Sequence, residues 1–210
     1  MKLVFDFDHT LFDMMAMHAA IEESITALGV PLAAYRDSYT QVTNWKAFTV
    51  ASLAHHLSRK TKAKEGDIIA ALEGVVEDSG DWLYPDVVDG LKELQAAGHE
   101  LYLLSWGDME WQMKKIKRCD IMPFFKEVLS IAQVKADYLK AWSGGGSSAV
   151  ALIDDKPAEL KAIEAGGQKT RLIRMRRTGA KYSDQDTPQG MAEAKDMSDV
   201  LAIVETWASS

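Results

Sequence analysis

Short apolar runs that break off at acidic or hydroxyl residues constrain this chain more than any other feature. Residues 2–7 read KLVFDF and run straight into Asp8, His9 and Thr10. Residues 100–105 read ELYLLS, residues 148–153 read SAVALI and stop at Asp154 and Asp155, and residues 171–176 read RLIRMR. Runs of this length and composition are expected to be buried strands of a parallel sheet. Between them, apolar residues recur at helical spacing. Val87, Leu91 and Leu94 lead to Gly98, helical patterns cover 109–119 and 134–142, and Pro157 opens a helix that Gly166 and Gly167 close. A weak strand is expected at 126–130, a loop at 179–189 and a last amphipathic helix at 198–207. Strands alternating with helices predict an α/β fold, a Rossmann-like doubly wound parallel sheet.

One stretch breaks that alternation. Met14, Met17, Ile21, Ile25 and Leu28 keep helical spacing up to Gly29 and Pro31, and further helical patterns at 45–58 and 65–78 flank a Lys-rich connection. No strand is expected from 14 to 83. These residues are read as an all-helical cap domain inserted into a core domain made of residues 1–13 and 84–210.

With 47 % hydrophobic and 26 % charged residues, the chain has the balance of an ordinary globular protein. The single cysteine, Cys119, leaves no internal disulfide and favours a reducing compartment. The start, MKLVFDFD, does not read as a signal peptide, and no apolar run is long enough to span a bilayer. A cytoplasmic protein without a membrane partner is therefore expected. The net charge of -7 repels nucleic acid. It does not exclude a small phosphorylated metabolite, because a local cation can reverse the field inside a pocket.

In open α/β sheets ligands bind beyond the carboxyl ends of the strands. The first strand is followed by Asp6, Asp8 and Thr10, the second by Ser105, and the third by Asp154 and Asp155. A parallel sheet would bring these exits to one edge, with four carboxylates and a hydroxyl in one crevice. Such a cluster calls for a hard divalent cation, and Mg²⁺ takes oxygen ligands. A carboxylate beside a metal and a phosphate can act as a nucleophile, and a second one two residues on can exchange protons with the leaving group and with water.

In this setting DFDHTLFD resembles the DxDxT motif of the haloacid dehalogenase-like superfamily, most of whose members are phosphatases. LYLLSWGD resembles its second motif, Lys135 in VKADYLK stands where its third-motif lysine would be, and ALIDDKPAEL resembles its acidic fourth motif. The resemblance covers the core from Met1 to about Met175. It implies that Asp6 is the nucleophile and a metal ligand, and that Asp8 is the general acid/base and lends the metal its backbone carbonyl. It also implies that Asp155, with Asp154, completes the Mg²⁺ ligands. Ser105 and Lys135 would hold the transferring phosphoryl group, Thr10 would brace the loop, and Trp106 lies at the mouth of the pocket. The implied activity is Mg²⁺-dependent hydrolysis of a small phosphate monoester through an aspartyl-phosphate. Asp8 disfavours dehalogenation, since the dehalogenases of the superfamily lack an acid there. A phosphomutase with the same core motifs is one alternative, and a non-catalytic binding or regulatory member another. His9 stands where many relatives have Gly, and Asp86 replaces a common Gly after Pro85.

Substrate-selecting candidates in the cap are Asp13, His18, Glu22, Arg36 and Lys46. Other conspicuous residues receive plainer readings. Gly144 to Ser148 reads as a flexible turn, and Arg171, Arg174, Arg176 and Arg177 as a solvated strand edge. His55 and His56 read as surface residues, Cys119 as structural, and Asp108 as a turn residue. The sequence leaves the oligomeric state and the natural substrate open.

Overall fold

The computed structural model describes residues 1–45, 48–132, 134–143, 149–167 and 169–208. Six strands lie among them: β1 (Lys2–Phe5), β2 (Glu100–Trp106), β3 (Glu127–Ile131), β4 (Val150–Asp154), β5 (Thr170–Met175) and β6 (Ala192–Ala194). They form one sheet in the order β3-β2-β1-β4-β5-β6, and every neighbouring pair is parallel. This is the doubly wound α/β order, with its reversal point between β1 and β4.

Successive side chains of a strand face opposite ways, and both faces of this sheet are covered. Leu3, Phe5, Leu101, Leu103, Ala151, Ile153, Ile173 and Met175 belong to one apolar cluster. Val4, Tyr102, Leu104, Val150 and Leu152 belong to a second. Helices α5 (Val87–Ala96), α6 (Met109–Arg118) and α9 (Met197–Ala208) give Leu91, Ile116 and Val200 to the first cluster. Helices α7 (Lys135–Trp142) and α8 (Pro157–Ala165) give Leu139 and Leu160 to the second. Helices α5 and α9 approach closely: a Cβ on Gly90 would lie 2.3 Å from that of Met197.

Among the described residues from 14 to 82 there are helices and no strand. The helices are α1 (Met14–Ala27), α2 (Leu32–Trp45), α3 (Val50–Lys60) and α4 (Glu65–Glu77), followed by a 3-10 turn at Ser79–Trp82. Met17, Ile21, Leu53, Leu57, Ile68 and Leu72 extend the first apolar cluster into these helices. Helix α2 was not expected. Its sequence, LAAYRDSYTQVTNW, lacks a strong apolar stripe, and Tyr35, buried in the first apolar cluster, ties it to its neighbours instead. The helix expected at 45–58 is α3, which begins at Val50. Thr49 accepts from the Ser52 N–H and the Ser52 hydroxyl answers it, in a capping box.

The chain passes between sheet and helices twice, and the two crossings are zipped together. The Tyr84 N–H donates to the Leu11 carbonyl (3.1 Å) and the Asp13 N–H to that of Trp82 (2.7 Å). Arg177 clasps both crossings. Its Nε donates to the Thr10 carbonyl (3.1 Å), Nη1 reaches both oxygens of Asp86 (2.8 and 2.7 Å), and its guanidinium stacks on the Tyr84 ring. Asp86 also accepts from the Met197 N–H at 2.7 Å, so it ties α9 to the same point. Arg174 and Arg177 are 1 % and 5 % exposed, which overturns the solvated-edge reading for these two. Strand β6 covers β5, and the arginines donate inward to carbonyls and a carboxylate. The turn at 144–148 lies outside the described residues.

Candidate active site

Strand register assembles the acidic centre. Phe5 pairs with Ile153, and the Asp6 N–H donates to the Ile153 carbonyl at 2.9 Å. The next step therefore sets Asp6 beside Asp154, with Asp155 immediately after. All three are buried, and among the described residues their carboxylate oxygens form a group lying within 4.8 Å of one another. Lys135 opens α7 and places its Nζ against Asp6 Oδ1 and, at 2.6 Å, Asp154 Oδ2. The other Asp154 oxygen accepts from the Lys156 N–H at 2.8 Å. Asp155 Oδ2 is buried without a hydrogen-bond partner.

Three carboxylates and one ammonium leave an excess of buried negative charge. Burial raises the Asp6 pKa; Lys135 opposes the rise, while Asp154 and Asp8 add to it. Burial and repulsion from Asp6 and Asp154 likewise raise Asp155. Burial would lower the Lys135 pKa, but Asp154 and Asp6 outweigh it and hold the ammonium charged. Oxygen donors packed this closely, with one oxygen left unpaired, match the needs of a hard divalent cation.

The loop after β1 sets the second group. The Phe7 carbonyl accepts from the N–H groups of Thr10 (3.2 Å), Leu11 (2.9 Å) and Phe12 (3.1 Å). This tight turn requires a left-handed backbone at His9, where φ is 63°. Glycine would take that conformation without steric cost, whereas a histidine is held there by its surroundings. The turn presents Asp8 to α6. Lys115 Nζ lies 2.6 Å from Asp8 Oδ1, and Gln112 Nε2 lies 2.8 Å from Oδ2. Burial opposes ionisation of Asp8, but the Lys115 charge and these hydrogen bonds prevail and lower its pKa. Gln112 Nε2 also lies 3.1 Å from both Ser105 Oγ and the Trp106 carbonyl. Burial depresses the His9 imidazole to about 4.

Asp6, Asp8, Ser105, Trp106, Lys135, Asp154 and Asp155 border one cavity of about 840 Å³. Met14 and His18 of α1, Tyr39 and Thr43 of α2, and Phe48 between α2 and α3 also border it. Thr10 does not line it; the residue is fully buried behind the turn, and its carbonyl serves Arg177. Of the described candidates Asp13, His18, Glu22 and Arg36, His18 alone borders the cavity. Asp13 caps α1 by accepting from the Met15 and Ala16 N–H groups (3.0 Å each). Glu22 and Arg36 pair with each other at 2.7 Å. Lys46 lies outside the described residues. Asp108 caps α6 and also lines the cavity. Gln112 and Lys115 went unread in the sequence. The available signal was a lysine on the buried face of α6, beside Trp111 and Ile116.

The haloacid dehalogenase-like hydrolase family model matches residues 3–167. No curated protein matches the sequence. Solved structures share the fold at low identity. A haloacid dehalogenase-like hydrolase structure from Burkholderia xenovorans is 19 % identical with a TM-score of 0.77, covering 99 % of this chain and 97 % of its own. The HAD-hydrolase YfnB of Bacillus subtilis, described as bound to magnesium, is 16 % identical with a TM-score of 0.67, covering 97 % of both chains. A 2-haloacid dehalogenase from Pseudomonas syringae is 18 % identical with a TM-score of 0.64, covering 98 % of both. Structures described as a phosphoglycolate phosphatase and a β-phosphoglucomutase have the same fold, so the shape does not select the reaction. With its motifs meeting at one sheet edge and the family match spanning most of its length, the chain belongs to the haloacid dehalogenase-like hydrolases.

Proposed function

We propose that this protein is a Mg²⁺-dependent phosphohydrolase that cleaves a small organic phosphate monoester through an aspartyl-phosphate on Asp6. The observation that carries this reading is the meeting of the Asp6, Asp154 and Asp155 oxygens within 4.8 Å, in the cavity that Asp8 also borders. Asp6, Asp154, Asp155 and the Asp8 carbonyl would hold the ion. Bound there, Mg²⁺ supplies positive charge that lets an anionic carboxylate approach an anionic phosphate.

The chain's own residues supply the rest. An Asp6 oxygen attacks phosphorus and the bond from phosphorus to the leaving oxygen breaks. Asp8, ionised in the resting site, takes a proton from the substrate's phosphate monoanion and passes it to that oxygen. Water then attacks phosphorus and passes a proton to the Asp8 carboxylate. The Asp6–phosphorus bond breaks, its electron pair returns to Asp6, and inorganic phosphate leaves. The Ser105 hydroxyl and the third N–H of Lys135 are the donors for phosphoryl oxygens. Residues 14–83 act as a cap domain over a core of 1–13 and 84–210, and exclude bulk water during transfer. The cavity of about 840 Å³ suits a metabolite, not a phosphoprotein. Asp8 argues against dehalogenation, which needs no acid for a halide leaving group. A lone buried cysteine fits a reducing cytoplasm.

Phosphate release from a panel of metabolite phosphates, with Mg²⁺ and with EDTA, tests the proposal. Activity should vanish in EDTA and in Asp6→Asn while the fold persists. Wild-type turnover in Asp6→Asn removes Asp6 as the nucleophile, and recovery of an isomerised phosphate identifies a mutase instead.

A further inference from the structure

We infer that Gln112 and Lys115 are positioning residues that clamp Asp8 for proton exchange and fix its distance from Ser105. The inference rests on the role proposed for Asp8. The two side chains project three residues apart from one face of α6, and each takes a different oxygen of the carboxylate, at 2.8 and 2.6 Å. A carboxylate offers about four lone-pair sites, so this grip leaves one on each oxygen for a leaving group or a water.

Among the described residues, apart from Asp8, only aromatic faces and a thioether surround the Lys115 charge. The residue is 1 % exposed and sits 5.4 and 5.1 Å from the Phe7 and Phe12 ring centroids, with the Met14 sulfur 3.7 Å away. An unbranched apolar side chain would fill that site well, and a buried ion pair is weak evidence of a stabilising role. Gln112 supports the same reading. Its amide nitrogen faces three acceptors on Asp8, Ser105 and Trp106, while its own Oε1 is buried without a partner. The amide is thus aimed at the site while its oxygen goes unsatisfied. Because the Ser105 oxygen receives an N–H, its hydroxyl hydrogen is free to turn toward a phosphoryl oxygen.

The test separates steps that need proton transfer from the one that does not. Lys115→Met is compared with wild type under single-turnover conditions on 2,4-dinitrophenyl phosphate and on an alkyl phosphate. Dinitrophenolate leaves without protonation, so its release should stay within about threefold of wild type, while proton-dependent steps lose about 100-fold, the scale of general acid–base catalysis. Those steps are release of the alkyl alcohol and release of inorganic phosphate, so phosphoenzyme accumulates with the aryl substrate. Equal slowing of every step would mark Lys115 as a fold element and overturn the inference; unchanged rates would do the same. Gln112→Met provides a second arm should Lys115→Met fail to fold, with phosphate release again slowed more than phenolate release. Asp6→Asn, run alongside, releases neither product. A wild type that releases neither would take down the phosphohydrolase reading together with the clamp.

Discussion

Replacing Asp155 by Asn tests whether the acidic centre is kept for a cation at the expense of the fold. Burial and the charges of Asp6 and Asp154 raise the Asp155 carboxyl from 3.8 to about 9. Between those values the folded protein retains a proton that the unfolded chain has already released. The stability this group contributes is therefore present at low pH and lost as pH rises, at up to about 1.4 kcal/mol per pH unit. Asp6, raised to about 7, acts in the same direction, but the two share one repulsion and their effects do not add. From pH 5 to pH 7 this centre should cost the metal-free protein about 3 kcal/mol. Asn keeps the shape and removes the charge. In EDTA at pH 7, Asp155→Asn should be more stable by about 2 kcal/mol, which raises Tm by about 4–8 °C in a chain of this size. Mg²⁺ at a hundred times its Kd should stabilise wild type by about 2.7 kcal/mol and leave the variant unmoved. Thermal unfolding followed by circular dichroism, with EDTA or Mg²⁺ at pH 5, 6, 7 and 8, reads all of these. Surface carboxylates held by lysines, such as Glu100 beside Lys126, push stability the opposite way with pH, so the variant-minus-wild-type difference is the decisive quantity. A variant that is less stable than wild type in EDTA at pH 7, or that still responds to Mg²⁺, would refute the reasoning.

Two further predictions concern the frame around the site. Arg177→Met should cost about 3 kcal/mol in urea unfolding, because it strands Asp86 and the Thr10 carbonyl. In a double-mutant cycle with Asp86→Asn the coupling should reach at least about 1.5 kcal/mol, and strictly additive losses would mean that the clasp is not a unit. Gly90→Ala should destabilise by about 1–3 kcal/mol, although alanine favours a helix, because its Cβ would fall 2.3 Å from the Met197 Cβ. An unchanged urea midpoint would show that α9 can shift to make room.

The strands at the centre of the sheet were legible because burial on both faces demands uninterrupted apolar residues. VALID is buried throughout, and KLVF and ELYLLS nearly so. Helix α2 and strand β6 were not legible. The first takes its stability from neighbours brought by the fold, and three residues are too few to show a period. Among the candidate residues, Asp6, Asp8, Ser105, Lys135, Asp154 and Asp155 were readable as strand and helix boundaries carrying polar groups. Arg174 and Arg177 were misread because charge patterning predicts exposure and says nothing of the carbonyls and carboxylate that await them inside.

The sequence by itself determined the alternation of buried strands and helices, the helical interruption at 14–83 and the acids at the strand ends. These follow from local periodicity and from where apolar runs must stop. Only the tertiary structure decided that Lys115 and Gln112 hold Asp8, that Asp155 keeps an unpaired oxygen and that Arg177 clasps the two crossings. Partners such as Asp8 and Lys115 stand 107 residues apart, and no period along the chain encodes which distant side chains a packed interior will bring into contact.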